Sequence, residues 1–162
     1  MSQSSTSPVS VPKDLVCKAL DAEGRNFDLS LSDYKDQNVV VYFYPKDNTP
    51  GCTIEAQEFR LLYPKFQAAG CEIIGVSRDS LKSHDNFRCK QSLPFPLISD
   101  VEEALCTHFQ VIKQKKMYGK DVRGIERSTF LIDRTGQIAT EWRSIKAAGH
   151  AADVLTAVLS LK

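Results

Sequence analysis

Residues 39–52 read VVVYFYPKDNTPGC. The first six are β-branched or aromatic without interruption, the composition of a short strand buried on both faces. Pro45 ends the run, and 46–51 (KDNTPG) is dense in turn-forming residues. A helix is expected over 52–69, because Phe59, Leu62, Tyr63 and Phe66 recur at helical spacing and give one apolar face. Gly70 stands where a helix stop belongs. Pro64 lies inside the pattern, so a kink or break near Tyr63 is expected. The apolar run 73–76 reads as a second buried strand. Strand, helix and strand make a βαβ unit, which is right-handed with parallel strands in nearly all cases.

Outward from this unit, Asp79 or Ser80 is a candidate cap for a helix running to Gln91. The segment 93–97 (LPFPL) is too proline-rich for an interior strand and reads as a loop entering a short one. A short helix is expected over 101–109. Residues 128–133 (STFLID) and 137–142 (QIATEW) read as strands joined by the glycine-containing loop Arg134-Thr135-Gly136. A helix over 150–161, with Val154, Leu155, Val158 and Leu159 as its apolar face, closes the chain. There is no internal repeat and no sign of a second domain. A βαβ unit followed by a β-hairpin and a C-terminal helix is the layout of an α/β, thioredoxin-like fold, a central mixed β-sheet flanked by helices. The expected domain is 11–162. Residues 1–10 are polar and serine-rich, and are read as a disordered leader. They lack the basic start and apolar stretch of a secretion signal.

Composition narrows the function. The chain has 162 residues, 42% hydrophobic and 25% charged, as is usual for one globular domain. Its net charge of +1 comes from 21 basic and 20 acidic side chains, which argues against nucleic acid as the main partner. Lys113, Lys115 and Lys116 form the one local basic cluster and read as a solvated loop. No segment approaches the roughly 18–20 apolar residues of a membrane span, and the expected compartment is the reducing cytosol. There are five cysteines, Cys17, Cys52, Cys71, Cys89 and Cys106. An odd number in a reducing compartment does not make a disulfide framework. No two form a C-x-x-C pair and no histidine stands at ligand spacing, which speaks against structural zinc. Buried, hydrophobe-like cysteines remain, with one or two reactive ones among them.

The reactive candidate is Cys52, at the first turn of a helix directly behind a buried strand. Free backbone N–H groups and the positive end of the helix dipole favour thiolate there, and thiolate is the nucleophile. The carboxyl end of a strand in an α/β sheet is also where binding crevices lie. If the substrate is a peroxide, negative charge grows on the departing oxygen and needs fixed donors. The Cys52 N–H and the Thr49 hydroxyl are placed to supply two. Arg127, directly ahead of STFLID, is a candidate third from a neighbouring strand. Taken alone, Arg127 would read as a surface arginine beside a strand end.

The wording of the chain changes that reading. Pro45, Thr49 and Cys52 match the P-x-x-x-T-x-x-C signature of peroxiredoxins. YFYPKDNTPGCTIEA, GVSRDSLKSHDNF, LPFPLISD and GIERSTFLID resemble the Q-type peroxiredoxins, also called bacterioferritin comigratory proteins. The similarity covers nearly all of 13–162. It implies a monomeric or weakly dimeric thioredoxin-fold peroxidase, without metal or organic cofactor, acting on hydroperoxides and recycled by thioredoxin, glutaredoxin or a similar dithiol. By position Cys52 resembles the peroxidatic cysteine, Thr49 and Arg127 its side-chain partners, and Pro45 the residue that shields the pocket. Sulfenic acid at Cys52 would condense with a second thiol, and an external dithiol would reduce the disulfide.

Many relatives carry the second cysteine five residues after the first, where this chain has Gln57. A subtype resolves from the following helix, directly after the Phe of HDNF. Here that slot is Arg88 and the cysteine, Cys89, comes one residue later, about 100° around a helix. Cys89 is the candidate resolving thiol. Cys71 and Cys106 read as core, and Cys17 is open to either role. If none resolves, the external thiol attacks the sulfenic acid directly. Two rivals are a thiol–disulfide oxidoreductase, which would want a C-x-x-C pair where Glu55 stands, and a thioredoxin-like binding or chaperone module without turnover.

Overall fold

The computed structural model describes residues 10–161. Of the expected leader, 1–9 lie outside the described residues. Ser10 is part of the fold and bridges Gln137.

The quoted stretch forms the centre of the molecule. Strand β3 (Asn38–Phe43) is buried at every residue. It pairs in parallel with β4 (Cys71–Ser77), with Val40 opposite Ile73, and the helix α1 (Pro50–Ala68) connects the two. On its other side β3 pairs antiparallel with β8 (Ser128–Ile132). The full sheet adds β1 (Cys17–Leu20), β2 (Asn26–Leu29), β5 (Leu97–Ser99) and β9 (Ile138–Trp142), in the order β2-β1-β5-β4-β3-β8-β9. Parallel and antiparallel pairs are mixed, as the thioredoxin-like layout requires. The remaining α-helices among the described residues are α2 (Leu81–Gln91), α3 (Ala104–His108) and α4 (His150–Leu159).

Alternation along β3 divides the core. Val40, Tyr42 and Tyr44 face one cluster with Phe59 and Phe66 of α1, Phe87 of α2 and Val154 of α4. Val39, Val41 and Phe43 face the other, with Phe109 and Phe130. Cys52 belongs to the first cluster.

Several expectations are corrected. Pro64 does not break α1, which runs unbroken to Ala68. A proline in the interior forfeits one backbone bond, and buried Tyr63 and Phe66 on either side hold the helix in place. In α2 it is Ser80 that caps, its hydroxyl accepting from the Ser83 N–H. Helix α3 is shorter than 101–109. Leu159 is 65% exposed and is not on the buried face of α4. The lysine cluster is not a loop but part of a separate two-stranded hairpin, β6 (Ile112–Met117) and β7 (Lys120–Ile125). Its two-residue turn, Tyr118-Gly119, has positive φ at both positions, the geometry that continues the strand twist. Glu103 ties the hairpin to the body by ion pairs with Arg123 and Arg78. No helix among the described residues is long and apolar enough to cross a membrane.

Candidate active site

Helix α1 opens with Thr49 as N-cap and Pro50 in its first turn, a position where proline's missing N–H costs nothing. The Thr53 N–H is the first to reach back, to Thr49 O at 2.9 Å. The N–H groups of Gly51 and Cys52 precede it and have no intrahelical acceptor. Cys52 therefore stands among free donors at the positive end of a 19-residue helix. It is 1% exposed.

Arg127 comes from the link between β7 and β8. Its Nη2 lies 3.4 Å from Cys52 Sγ, and its Nη1 donates to Glu55 Oε1 at 2.6 Å. The guanidinium thus spans two residues on one face of α1. Its approach depends on Gly51, because a Cβ there would lie 2.9 Å from Arg127 Nη2. Glu55 is fully buried, and its Oε2 has no hydrogen-bond partner among the described residues. Burial pushes the Glu55 carboxyl up to about 7, with Arg127 holding it from rising further. In the sequence Glu55 stands out only as the residue that rules out a C-x-x-C pair. Its spacing from Cys52, three residues on a helix and hence the same face, was the available signal.

The Thr49 hydroxyl is directed differently from expectation. The Thr49 hydroxyl gives its proton to Lys46 O at 2.8 Å, so it closes the loop and offers only lone pairs outward. Pro45 is exposed at the start of the same loop. Cys89 is exposed on the last turn of α2, and its sulfur accepts from Arg88 Nη2 at 3.1 Å. All five cysteines are free thiols. Burial pushes Cys17 up to about 11 and Cys71 to about 12, and raises Cys106 further still. These three are core thiols, including Cys17, which the sequence left open.

A thioredoxin-like fold that sets a cysteine at a helix start, under an arginine held by a buried carboxylate, defines the class of thiol-dependent peroxidases. Comparison with known proteins gives the family: residues 13–141 match the AhpC/TSA family, and the chain belongs to it. Peroxiredoxin Bcp of Xanthomonas campestris is 61% identical over 120 residues, 74% of this chain and 75% of that protein. Peroxiredoxin Bcp of Bacillus subtilis is 50% identical over 127 residues, 78% of this chain and 81% of that protein. Among solved structures, peroxiredoxin Q of Xanthomonas campestris superposes with a TM-score of 0.87 at 49% identity, covering 95% of this chain and 97% of that one. A cysteine-to-serine variant of Xylella fastidiosa PrxQ gives 0.89 at 44% identity and 98% of each chain. The resemblance to Q-type peroxiredoxins read from the sequence motifs is thereby borne out.

Proposed function

We propose that this thiol-dependent peroxidase attacks hydroperoxides with the Cys52 sulfur. The observation that carries the assignment is the Arg127 guanidinium 3.4 Å from that sulfur, at a helix start rich in free N–H groups. The thiolate takes the terminal hydroxyl oxygen, the O–O bond breaks, and Cys52 becomes sulfenic acid. The other oxygen leaves with the electron pair and a proton is added to it, giving water or an alcohol. Arg127 and the Cys52 N–H stabilise the charge on sulfur and on the leaving oxygen. Thr49, its proton engaged with Lys46, accepts from the peroxide O–H and orients it. Pro45 borders the loop on the solvent side.

Organic hydroperoxides are included as substrates, because the Xanthomonas campestris bacterioferritin comigratory protein has been described for alkyl peroxide reduction. The Cys89 thiol then condenses with the sulfenic acid, releasing water and forming a disulfide. Its exposure and the adjacent Arg88 support this role. Thioredoxin or a glutaredoxin-type dithiol reduces that bond. No metal or organic cofactor enters the cycle. The proposed working form is a monomer in a reducing compartment such as the cytosol, which the five free thiols suit.

A coupled assay with thioredoxin, its reductase, NADPH and hydrogen peroxide or an organic hydroperoxide tests the reading. Cys52→Ser is expected to abolish NADPH consumption while keeping the wild-type circular dichroism. Substantial turnover by the folded variant would remove Cys52 from the mechanism.

A further inference from the structure

The loop carrying Cys52 is fastened to the helix carrying Cys89 by a buried polar cluster that touches neither sulfur. Asp47 lies five residues ahead of Cys52, and His84 lies five ahead of Cys89. His84 Nδ1 faces Asp47 Oδ2 at 2.7 Å, and Ser83 Oγ donates to the same oxygen at 2.8 Å. Tyr44 Oη donates to Asp47 Oδ1 at 2.7 Å. The Asp47 N–H donates to Asp79 Oδ2 at 2.9 Å, which also accepts from Ser77 Oγ. On its far side His84 Nε2 meets Ile98 O at 2.8 Å. Both side chains are removed from solvent, His84 at 0% and Asp47 at 1% exposure.

Both ring nitrogens of His84 face acceptors. Nε2 pairs with the Ile98 carbonyl and Nδ1 with the Asp47 carboxyl. Every inward oxygen of Asp47 is thus occupied. Asp47, Asp79 and His84 stand close enough together to hold a metal ion, but the carboxylate oxygens already pair with Tyr44, Ser77, Ser83, His84 and the Asp47 backbone N–H. The cluster is complete without an ion. A buried network of this kind holds firmly when complete, and loses much of its value when one member goes, because the partner left behind is buried and unpaired.

The two thiols need such a link to be breakable. A disulfide requires Cα atoms within about 7 Å. The end of α2 that carries Cys89 is joined instead to later turns of α1. Gln57 Nε2 donates to Gln91 Oε1 at 2.8 Å, and Arg60 Nη1 to Gln91 O at 3.0 Å. These residues are about 7–12 Å along the axis from Cys52, at a 1.5 Å rise per residue. Cys52 is buried and Cys89 stands at the surface, so one of the two segments must move before they bond.

We propose that Asp47 and His84 are positioning residues that form a latch. Their cluster holds the 44–51 loop so that Cys52 meets Arg127, and its strength sets how readily Cys52 leaves that geometry to bond Cys89. The second half rests on Cys89 being the resolving thiol.

The test uses the full-length chain with Ser83→Ala, which removes one donor and leaves the fold least disturbed, and His84→Asn, which removes the Ile98 link. Three quantities are read. They are amide exchange over 81–91 and 44–53 in the reduced protein, the second-order rate of Cys52 oxidation, and the peroxide concentration that half-converts Cys52 to sulfinic acid during turnover. Loss of one hydrogen bond from the cluster is expected to shift the latch equilibrium by up to about tenfold. Exchange should accelerate by that factor, and oxidation should slow only as far as the latched fraction falls. The half-conversion concentration should rise, because a looser latch lets Cys89 intercept the sulfenic acid sooner. A general packing defect would not raise it. Unchanged exchange and oxidation rates in both folded variants would overturn the latch. Faster exchange with an unchanged half-conversion concentration would overturn its coupling to resolution. A wild-type chain that forms no Cys52–Cys89 disulfide would instead refute the resolving role of Cys89, and the first two readings would still decide the latch.

Discussion

Arg127 reaches Cys52 because residue 51 has no side chain, so one glycine governs the electrostatics of the site. Gly51→Ala would push a methyl group to within 2.9 Å of the guanidinium, and the arginine has to move. Arg127→Ala removes it outright. A donor aimed at developing charge is worth on the order of 10²–10³ in rate, so stopped-flow oxidation of Cys52 should slow by about that in Arg127→Ala and by a smaller factor in Gly51→Ala. A wild-type rate in Arg127→Ala would remove Arg127 from catalysis. Glu55 gives a second prediction. Its folded pKa of about 7 lies above the ordinary 4.5 because of burial. The native state therefore keeps a proton that the unfolded chain has lost between those values. That contribution to stability is full below pH 4.5 and is lost as pH rises through 7. The slope is on the order of 1.4 kcal/mol per pH unit. Urea denaturation of Glu55→Gln across that window should lack this fall, and an unchanged slope would contradict the assignment. Cys52 and Arg127 were legible because motif and position coincide in the sequence. Glu55 and the Asp47–His84 pair were not, because burial of a charged side chain depends on which elements pack above it.

At the scale of elements, α1 carries a defect that its packing overrides. Pro64 is exposed within the helix and has no N–H for the carbonyl four residues earlier. Tyr63 and Phe66, both buried, keep the segment helical despite it, which is why a break expected from local propensity does not occur. Pro64→Ala should restore the bond without losing core contacts. The gain is expected at about 2 kcal/mol, the helix cost of proline less the looser unfolded chain. A rise in the urea midpoint checks it, and a fall would mean that the proline ring itself packs. The strands of the βαβ unit and the β8–β9 hairpin were readable because they are apolar throughout or turn on glycine. The β6–β7 hairpin was not. Its strands hold Lys113, Lys115, Lys116, Lys120 and Arg123, and a two-stranded ribbon outside the core has no need of alternating apolar residues. Its Tyr118-Gly119 turn is also weakly marked, since tyrosine seldom takes positive φ.

For the molecule as a whole, the sheet order explains how one short segment at the start of the chain reaches the far edge. Strand β1 lies beside β5 and β9 closes the other end, yet the chain before β1 crosses to the β8–β9 turn. There the Val11 N–H donates to Gly136 O at 3.0 Å, Ser10 bridges Gln137, and Ser10 O meets His108 Nε2 at 2.8 Å. Val11 also packs on the second core cluster. A serine-rich stretch gave no sign of this, because backbone bonds carry most of it and only one apolar side chain takes part. The consequence is a sharp boundary for truncation. Removing 1–9 leaves all of these contacts in place and should leave the melting temperature unchanged. Removing 1–12 deletes the two hydrogen bonds and the Val11 contact, together about 1–3 kcal/mol. For a chain of this size that corresponds to roughly 3–10 °C. Calorimetry on the two truncated proteins distinguishes the cases. Equal melting temperatures would show that the segment contributes nothing to stability, and a large fall on removing 1–9 alone would move the boundary towards the first residue. Peroxidase activity at 25 °C should survive both truncations, because Cys52 and Glu55 are carried by α1 and Arg127 stands at the opposite end of β8 from the turn that this segment contacts.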